Sequence, residues 1–297
     1  MSLGPAPTRL RQIALVAKDI EHAKQLITHV LGTEVVFEDP AVGQWGLKNF
    51  LGAYTLFSRR QRLTPAVPIG GDFIEVVSPF KEGTTAGRLL ERRGDGGYMI
   101  IMQTEDAKKR LEHIEAKGLS RVIFEHDLGD SVCIQYHPRG IKGGIMPELD
   151  SHVPGPKNPT PIQSRFSPWH ACGSDVERYT TSMKRTQHLT LEGCVLRLQP
   201  GDLGHEAAAR EWEGIFGVAR IRDLLAFTNA RLGFIPGKKG QSEGLVAITI
   251  GVKGKSEYDA ILKRARDAGL WTDGGIDMCG VRWHLALTGH GASQGKL

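Results

Sequence analysis

Chemistry in this 297-residue chain has to be sought through spacing, because its four cysteines and eleven histidines are scattered. Cys133, Cys172, Cys194 and Cys279 never form the C-x-x-C pairs that zinc or dithiol redox centres use, and they read as reduced, packed thiols. His205 and Glu206 open an H-E-x-x-H pattern, but Ala209 stands where the second imidazole is needed. Gly254-Lys255-Ser256 mimics the end of a phosphate-binding loop, yet Thr249 occupies the place of its first glycine. The run GTTAGRLLERRGDGG, residues 83–97, joins small residues to arginines without either phosphate-binding spacing, and reads as a helix with a glycine-rich exit. His137, in YHPRGIKGG, sits at a turn before a strand, from which it can reach the rim of a binding site.

The charge pattern narrows the partners. The 38 basic and 33 acidic residues give a net charge of +5, spread without a long single-sign block. Local runs such as Arg59-Arg60-Gln61-Arg62 and Glu91-Arg92-Arg93 lack the interleaved aromatic residues of a nucleic-acid platform and read as solvated faces. Nucleic acid is therefore not an expected partner. The opening MSLGPAPTRLRQ has no apolar core of a secretory signal, and no apolar run is long enough to span a bilayer. The expectation is a cytoplasmic protein with no membrane contact.

The elements that must position any site follow one repeated pattern. LRQIALVAKDIEHAKQLITHVLG, from Leu10 to Gly32, reads as an alternating strand, an Asp19 cap, an amphipathic helix and a glycine stop. GGYMIIMQTEDAKKRLEHIEAKGL repeats it, with strand residues Met99 to Gln103 and helix residues Ala107, Leu111 and Ile114. A third copy, CVLRLQPGDLGHEAAAREWEGIFGV, places Asp202 near the cap and Ala208, Trp212, Ile215 and Phe216 on one face; a fourth, LVAITIGVKGKSEYDAILKRARDAGL, ends at Gly269. Between and after the first two copies lie VVFEDP, GAYTLFSR, GDFIEVVSP, RVIFEHD, DSVCIQYHP and GGIMPELD, short β-rich runs bounded by Gly, Pro and Asp. Each unit is thus strand, helix, three strands. Residues 153–168 carry five prolines and read as a linker without a packed core, dividing a first domain, 1–152, from a second, 169–290, with a tail at 291–297.

This pattern resembles the vicinal oxygen chelate superfamily, which includes glyoxalase I, bleomycin-resistance proteins, methylmalonyl-CoA epimerase and extradiol dioxygenases. The resemblance is strong from Leu10 to Asp150 and is one of pattern after Phe166. It implies an α+β fold of two tandem glyoxalase-like domains, each made of two βαβββ modules in a curved mixed sheet with helices outside. In metal-binding members each module supplies one ligand from its first strand and one from its last. Residue by residue, those positions fall on Gln12, on Glu75 in FIEVVSP, on Met99, and on Glu148 in GGIMPELD. Relatives that hold Ni, Zn, Mn or Fe mostly have His where Met99 stands, and a thioether is a soft, poor substitute. Tyr98, beside it, is a neutral phenol and seldom a ligand. The resemblance therefore implies at most a divalent cation on the incomplete set Gln12, Glu75 and Glu148, and no other cofactor.

The same residues suggest chemistry without a metal. Two facing carboxylates can split their pKa values, so that Glu75 and Glu148 become a base and an acid for proton abstraction next to a carbonyl. Gln12 or Tyr98 would then hydrogen-bond the developing enolate oxygen, with Met99 and His137 as further substrate contacts. The alternative leaves both glutamates facing water on strand surfaces. In the second domain the corresponding positions are Val195 or Cys194, Gly233, Val246 or Ala247, and His284, so that domain is expected to be silent; His188 is assigned to an added strand. The functional expectation is a glyoxalase-like protein that binds a small polar organic molecule, as an isomerase or lyase, or else as a non-catalytic binder of the bleomycin-resistance type. Extradiol dioxygenase chemistry needs two His and a Glu on one iron, which neither domain assembles. Homodimerisation is left open.

Overall fold

A computed structural model describes residues 3–36, 40–49 and 66–289 of the chain. The opening pair forms as its sequence dictates. Strand β1, Thr8–Val16, is buried along its whole length, and helix α1, Ile20–Leu31, starts where the Asp19 side chain accepts the His22 N–H at 3.0 Å. Ile20, Ala23, Ile27, Val30 and Leu31 form the buried stripe of α1, and Gly32 ends it at φ +66°, a left-handed conformation that costs glycine little.

A 3-10 turn, Pro40–Trp45, then leads to β2, Leu47–Asn49; β3, Ala66–Ile69, and β4, Asp72–Pro79, follow. Helix α2, Thr85–Arg93, is the helix with a glycine exit expected there, capped by Thr84. The second module runs β5, Gly96–Thr104; α3, Ala107–Ala116; β6, Val122–Asp127; β7, Ser131–Tyr136; and β8, Met146–His152. After α4, Val176–Arg185, the third module comprises β9, Leu189–Arg197; α5, His205–Phe216; β10, Ala219–Ile221; β11, Leu224–Ala226; and β12, Arg231–Ile235. The fourth comprises β13, Gly244–Lys253; α6, Lys255–Asp267; β14, Trp271–Thr272; β15, Gly275–Met278; and β16, Val281–Thr288.

These modules close into two curled mixed sheets. The first is ordered β2-β4-β1-β5-β8-β7-β6 with β3 on β4, and the second β10-β11-β12-β9-β13-β16-β15-β14. In each, the first strand of one module pairs antiparallel with the first strand of the next, and runs parallel to the last strand of its own. The helices lie outside. The fold is the α+β arrangement of two tandem glyoxalase-like units expected from the sequence.

Three local expectations need correction. Val35 and Val36 of VVFEDP are buried but belong to no strand, while GAYTLFSR and the Arg59–Arg62 run lie outside the described residues. His188 does not belong to an added strand, because Leu189–Arg197 is one uninterrupted strand leading towards α5. The proline-rich segment is bare only in its first part: residues 153–160 are mostly exposed, whereas Ile162, Ser167 and the following Trp169 are buried. Two arginines of β1 hold it there. Arg9 donates from Nη1 to Ser164 O and from Nη2 to Arg165 O, and Arg11 donates from Nη2 to Ser167 O. Backbone carbonyls saturated by guanidinium donors let a segment with few ladder bonds be buried without orphaned acceptors. One apolar core runs through both halves.

Candidate functional site

Strand register decides which side chains share a face, since partners across a ladder point the same way and residues two apart do so too. Gln12 on β1 is opposite Ile101 on β5, Ile101 is opposite Glu148 on β8, and Glu148 is opposite Gln135 on β7. One row along, Glu75 on β4 is opposite Ala14, which is opposite Met99. On the other side of the Gln12 row, Gln103, Asp150 and Cys133 form a third. The alternate residues Ile13, Ile74, Ile100, Ile134 and Leu149 are fully buried and apolar. The polar rows therefore line the sheet face opposite this apolar one.

Gln12 is the hub of the first two rows. Its Nε2 donates to Glu75 Oε2 at 2.9 Å, while its Oε1 accepts the Trp169 Nε1–H at 2.8 Å. Gln135 Nε2 donates to Glu148 Oε2 at 2.7 Å. Glu148 is only 6% exposed, and burial raises its carboxyl above the ordinary range despite that hydrogen bond. Glu75, by contrast, keeps partial contact with solvent. Tyr98 joins them through an irregularity: the β1–β5 ladder shifts between Ala14 and Leu15, leaving Tyr98 without a partner across the strand. A bulge of this kind re-aims a side chain. Burial pushes the Tyr98 phenol up to about 12, with the charges of Glu75 and Glu148 adding to it. The phenol is thus a neutral donor that neighbours both carboxyl groups.

Met99 is buried in the Glu75 row. His137 is held in its own turn, where Nδ1 accepts the Arg139 N–H at 2.9 Å. No hydrogen bond or ion pair joins it to the carboxyl rows among the described residues. The four positions to which the resemblance assigns a divalent cation do not offer a matching donor set, since Trp169 already engages the Gln12 oxygen and Met99 brings a thioether.

Below these rows lies a group that the sequence pattern did not single out. Asp150 is completely buried, and burial followed by the Glu148 charge raises its carboxyl well above the usual range. His152 Nε2 accepts the backbone N–H of His170 at 3.2 Å, and Trp169, His152 and His170 pack ring against ring at 4.8–5.1 Å. Burial pushes the His152 imidazole down to about 4 and that of His170 to about 3, so both rings are neutral at neutral pH. Arg11 lies over the Trp169 ring at 5.2 Å; burial lowers it to about 9, and it stays charged at neutral pH. The sequence carried one signal of this group: Glu148, Asp150 and His152 alternate along β8 and so share one face. Trp169 and His170 follow directly on the proline-rich segment, where no period points to them.

In the second sheet, Thr249 is opposite both Gly193 and His284, which makes Gly193, rather than Val195 or Cys194, the counterpart of Gln12. That row holds one exposed imidazole and no carboxylate. A cleft of about 760 Å³ opens elsewhere, between α1 and α2 on one side and β13, β15 and β16 on the other. Four of its charges are paired, Arg93 with Glu243 at 3.1 Å and Arg282 with Asp277 at 2.7 Å.

No protein-family model matches this chain, and no curated protein does. Among solved structures, it is similar over 95% of its length to the whole of a hypothetical protein from Staphylococcus aureus, with 9% identity and a TM-score of 0.57. That likeness concerns the fold. About half of the chain, 50%, also overlays 99% of a methylmalonyl-CoA epimerase from Streptomyces coelicolor at 19% identity and a TM-score of 0.39. The epimerase from Mycobacterium tuberculosis matches 52% of it at 16% identity and the same score of 0.39.

Proposed function

We propose that the polar face of the first sheet binds a small organic molecule bearing a carbonyl group and moves a proton next to that carbonyl. One observation carries the reading: two carboxyl groups in unlike environments, Glu75 partly solvated and Glu148 buried, flank a neutral phenol that senses both. Unlike environments set two carboxyls to opposite protonation states. Glu75, the more solvated, is the base; Glu148, whose carboxyl burial raises above the ordinary range, is the acid; Tyr98 donates to the oxygen on which negative charge develops. Gln12 orients Glu75, and Trp169 in turn fixes the Gln12 amide, so that its Nε2 and not its Oε1 faces the carboxylate. Binding without turnover is the second reading, favoured by Met99 at a position where the metal-binding members of the superfamily it resembles mostly carry His.

Exchange of carbon-bound hydrogen tests the first reading even while the product is unknown. The protein is incubated in D2O with a panel of 2-oxo acids, 2-hydroxy ketones and acyl thioesters, and loss of the α-proton signal is followed by NMR. Wild type is expected to exchange at least one class, Glu75→Gln to lose about 10²-fold or more of that rate, and Glu148→Gln to bind the same compound. A compound that binds and never exchanges would leave the protein a binder.

A further inference from the structure

Three Lewis bases meet one row below Glu148. Cys133 Sγ, a carboxylate oxygen of Asp150 and a ring nitrogen of His170 lie within 4.8 Å of one another. Cys133 and Asp150 are cross-strand partners on β7 and β8, and His170 is delivered by the 3-10 turn His170–Cys172 that follows the proline-rich segment. None of the three belongs to the Gln12, Glu75, Met99 and Glu148 positions.

Two independent observations call for a positive centre among them. Both oxygens of Asp150 are buried without a hydrogen bond of ordinary geometry; the Ile134 N–H, the Cys133 thiol and the Glu148 carboxyl act on the group only from looser positions, and a carboxyl so placed is kept only with a proton or a cation beside it. The second concerns the imidazole hydrogens. His152 Nε2 accepts the His170 backbone N–H, so it is a lone-pair atom, and His170 Nδ1 faces the same atom at 3.2 Å and must carry the ring proton. His170 Nε2 is then unprotonated, and it stands 3.7 Å from Asp150 Oδ2. A lone pair facing a carboxylate oxygen is repulsive unless an electrophile lies between them.

We propose that Cys133, Asp150 and His170 form a binding site for one divalent cation of the zinc class, which clamps the segment between the halves onto the first sheet. Thiolate, imidazole and carboxylate are the donor set that zinc takes. Bonds of about 2.0–2.2 Å in a tetrahedron place a nitrogen and an oxygen ligand about 3.3–3.5 Å apart, so the 3.7 Å between His170 and Asp150 needs to close by only a few tenths of an ångström around a cation. A thiolate and a carboxylate cancel the charge of a dication, so the occupied site is electrically neutral in its buried setting; the Cys133 proton, and with it the proton that the raised Asp150 carboxyl holds, leave to solvent as the cation binds. His170 Nδ1–H donates a hydrogen bond to His152 Nε2, the arrangement by which ligating imidazoles are held in one tautomer. His170 retains 15% side-chain exposure, which gives a cation a way in.

Cobalt(II) titration of the metal-stripped full chain, followed by visible absorption and calorimetry, tests this. Wild type is expected to take up one cobalt with a thiolate-to-metal charge-transfer band in the near ultraviolet. Cys133→Ser should abolish the band and, like His170→Gln, weaken binding by about 10²-fold or more, whereas Cys194→Ala and Glu75→Gln should leave both readouts in place. Circular dichroism checks that each variant is folded. If the site variants do not fold, zinc K-edge absorption of the wild type reads its ligands directly, and a shell without sulfur overturns the proposal. So does the absence of stoichiometric cobalt uptake, or uptake lost in Glu75→Gln but kept in Cys133→Ser, which would place the cation in the Gln12 row.

Discussion

Trp169 is the side chain on which most of the polar face depends. It is fully buried, donates to Gln12, packs on His152 and His170, and lies under the Arg11 guanidinium. Trp169→Phe keeps a ring in place and removes only the N–H donor; a loss of about 1 kcal/mol in urea unfolding is expected, with Gln12 released from its orientation. Trp169→Ala also opens a cavity and is expected to cost about 3–5 kcal/mol. A second residue-scale node is Asp72, which pairs with Arg9 Nε at 2.7 Å and accepts from Asn229 Nδ2 at 3.0 Å. Asp72→Ala would leave the Arg9 charge buried without its partner, so a loss of about 3–5 kcal/mol is expected from the same measurement. Gln12, Glu75 and Glu148 were picked out by the resemblance, which assigns a position to the first and last strand of each module; strand periodicity alone would not have chosen them. His170 was not: its partners are brought to it by the return of the chain across the first sheet, and a run of prolines carries no periodicity that could show it.

At the scale of elements, the four strand–helix pairs were legible because their ends carry their own chemistry. Asp19 and Asp106 cap the first two of these helices with their side chains, and Gly32 and Gly217 end the first and the third in the left-handed region. Asp19→Ala is expected to cost about 1 kcal/mol of global stability, read from the urea midpoint with an unchanged m-value. The short strands β2, β10, β11 and β14 were harder to place, since two or three residues show no period. Nor could local pattern show where elements of different halves touch. Gly97 on β5 is such a place: a Cβ there would lie 2.3 Å from Leu245 Cβ on β13. Gly97→Ala is expected to force the two strands apart and lower the melting temperature, whereas Gly118→Ala, at an open position with φ +59°, should carry only the cost of its backbone conformation. Differential scanning fluorimetry separates the two.

For the whole molecule, the halves are joined at many points. Arg264 Nε donates to Val30 O at 3.0 Å, Trp212 Nε1 to Lys142 O at 2.9 Å, and Asn229 exchanges a pair of hydrogen bonds with the Leu10 backbone at 2.9 and 3.0 Å. With a continuous core behind these contacts, calorimetry should show one unfolding transition with equal calorimetric and van't Hoff enthalpies; two separated transitions would mean that the halves fold independently. One junction is sensitive to acid. Lys142 ion-pairs with Asp202 and, with the Gly204 N–H, holds that carboxyl below the ordinary carboxylate range. A folded pKa below the unfolded value gives stability that is complete above about pH 4 and declines as the pH falls through the folded pKa. Asp202→Asn should therefore flatten that part of the stability profile and leave its shape near neutrality unchanged.

The placement of Trp169 also makes the protein its own optical reporter. An indole whose emission depends on the dipoles and imidazoles around it stands between the Gln12 amide and the His152–His170 pair, while the other fully buried indoles, Trp212 and Trp283, lie in the second half. Subtracting the Trp169→Phe spectrum from that of the wild type isolates the light of this one ring, and a change in its colour or yield marks the arrival of a ligand at the polar face before any reaction product has been identified.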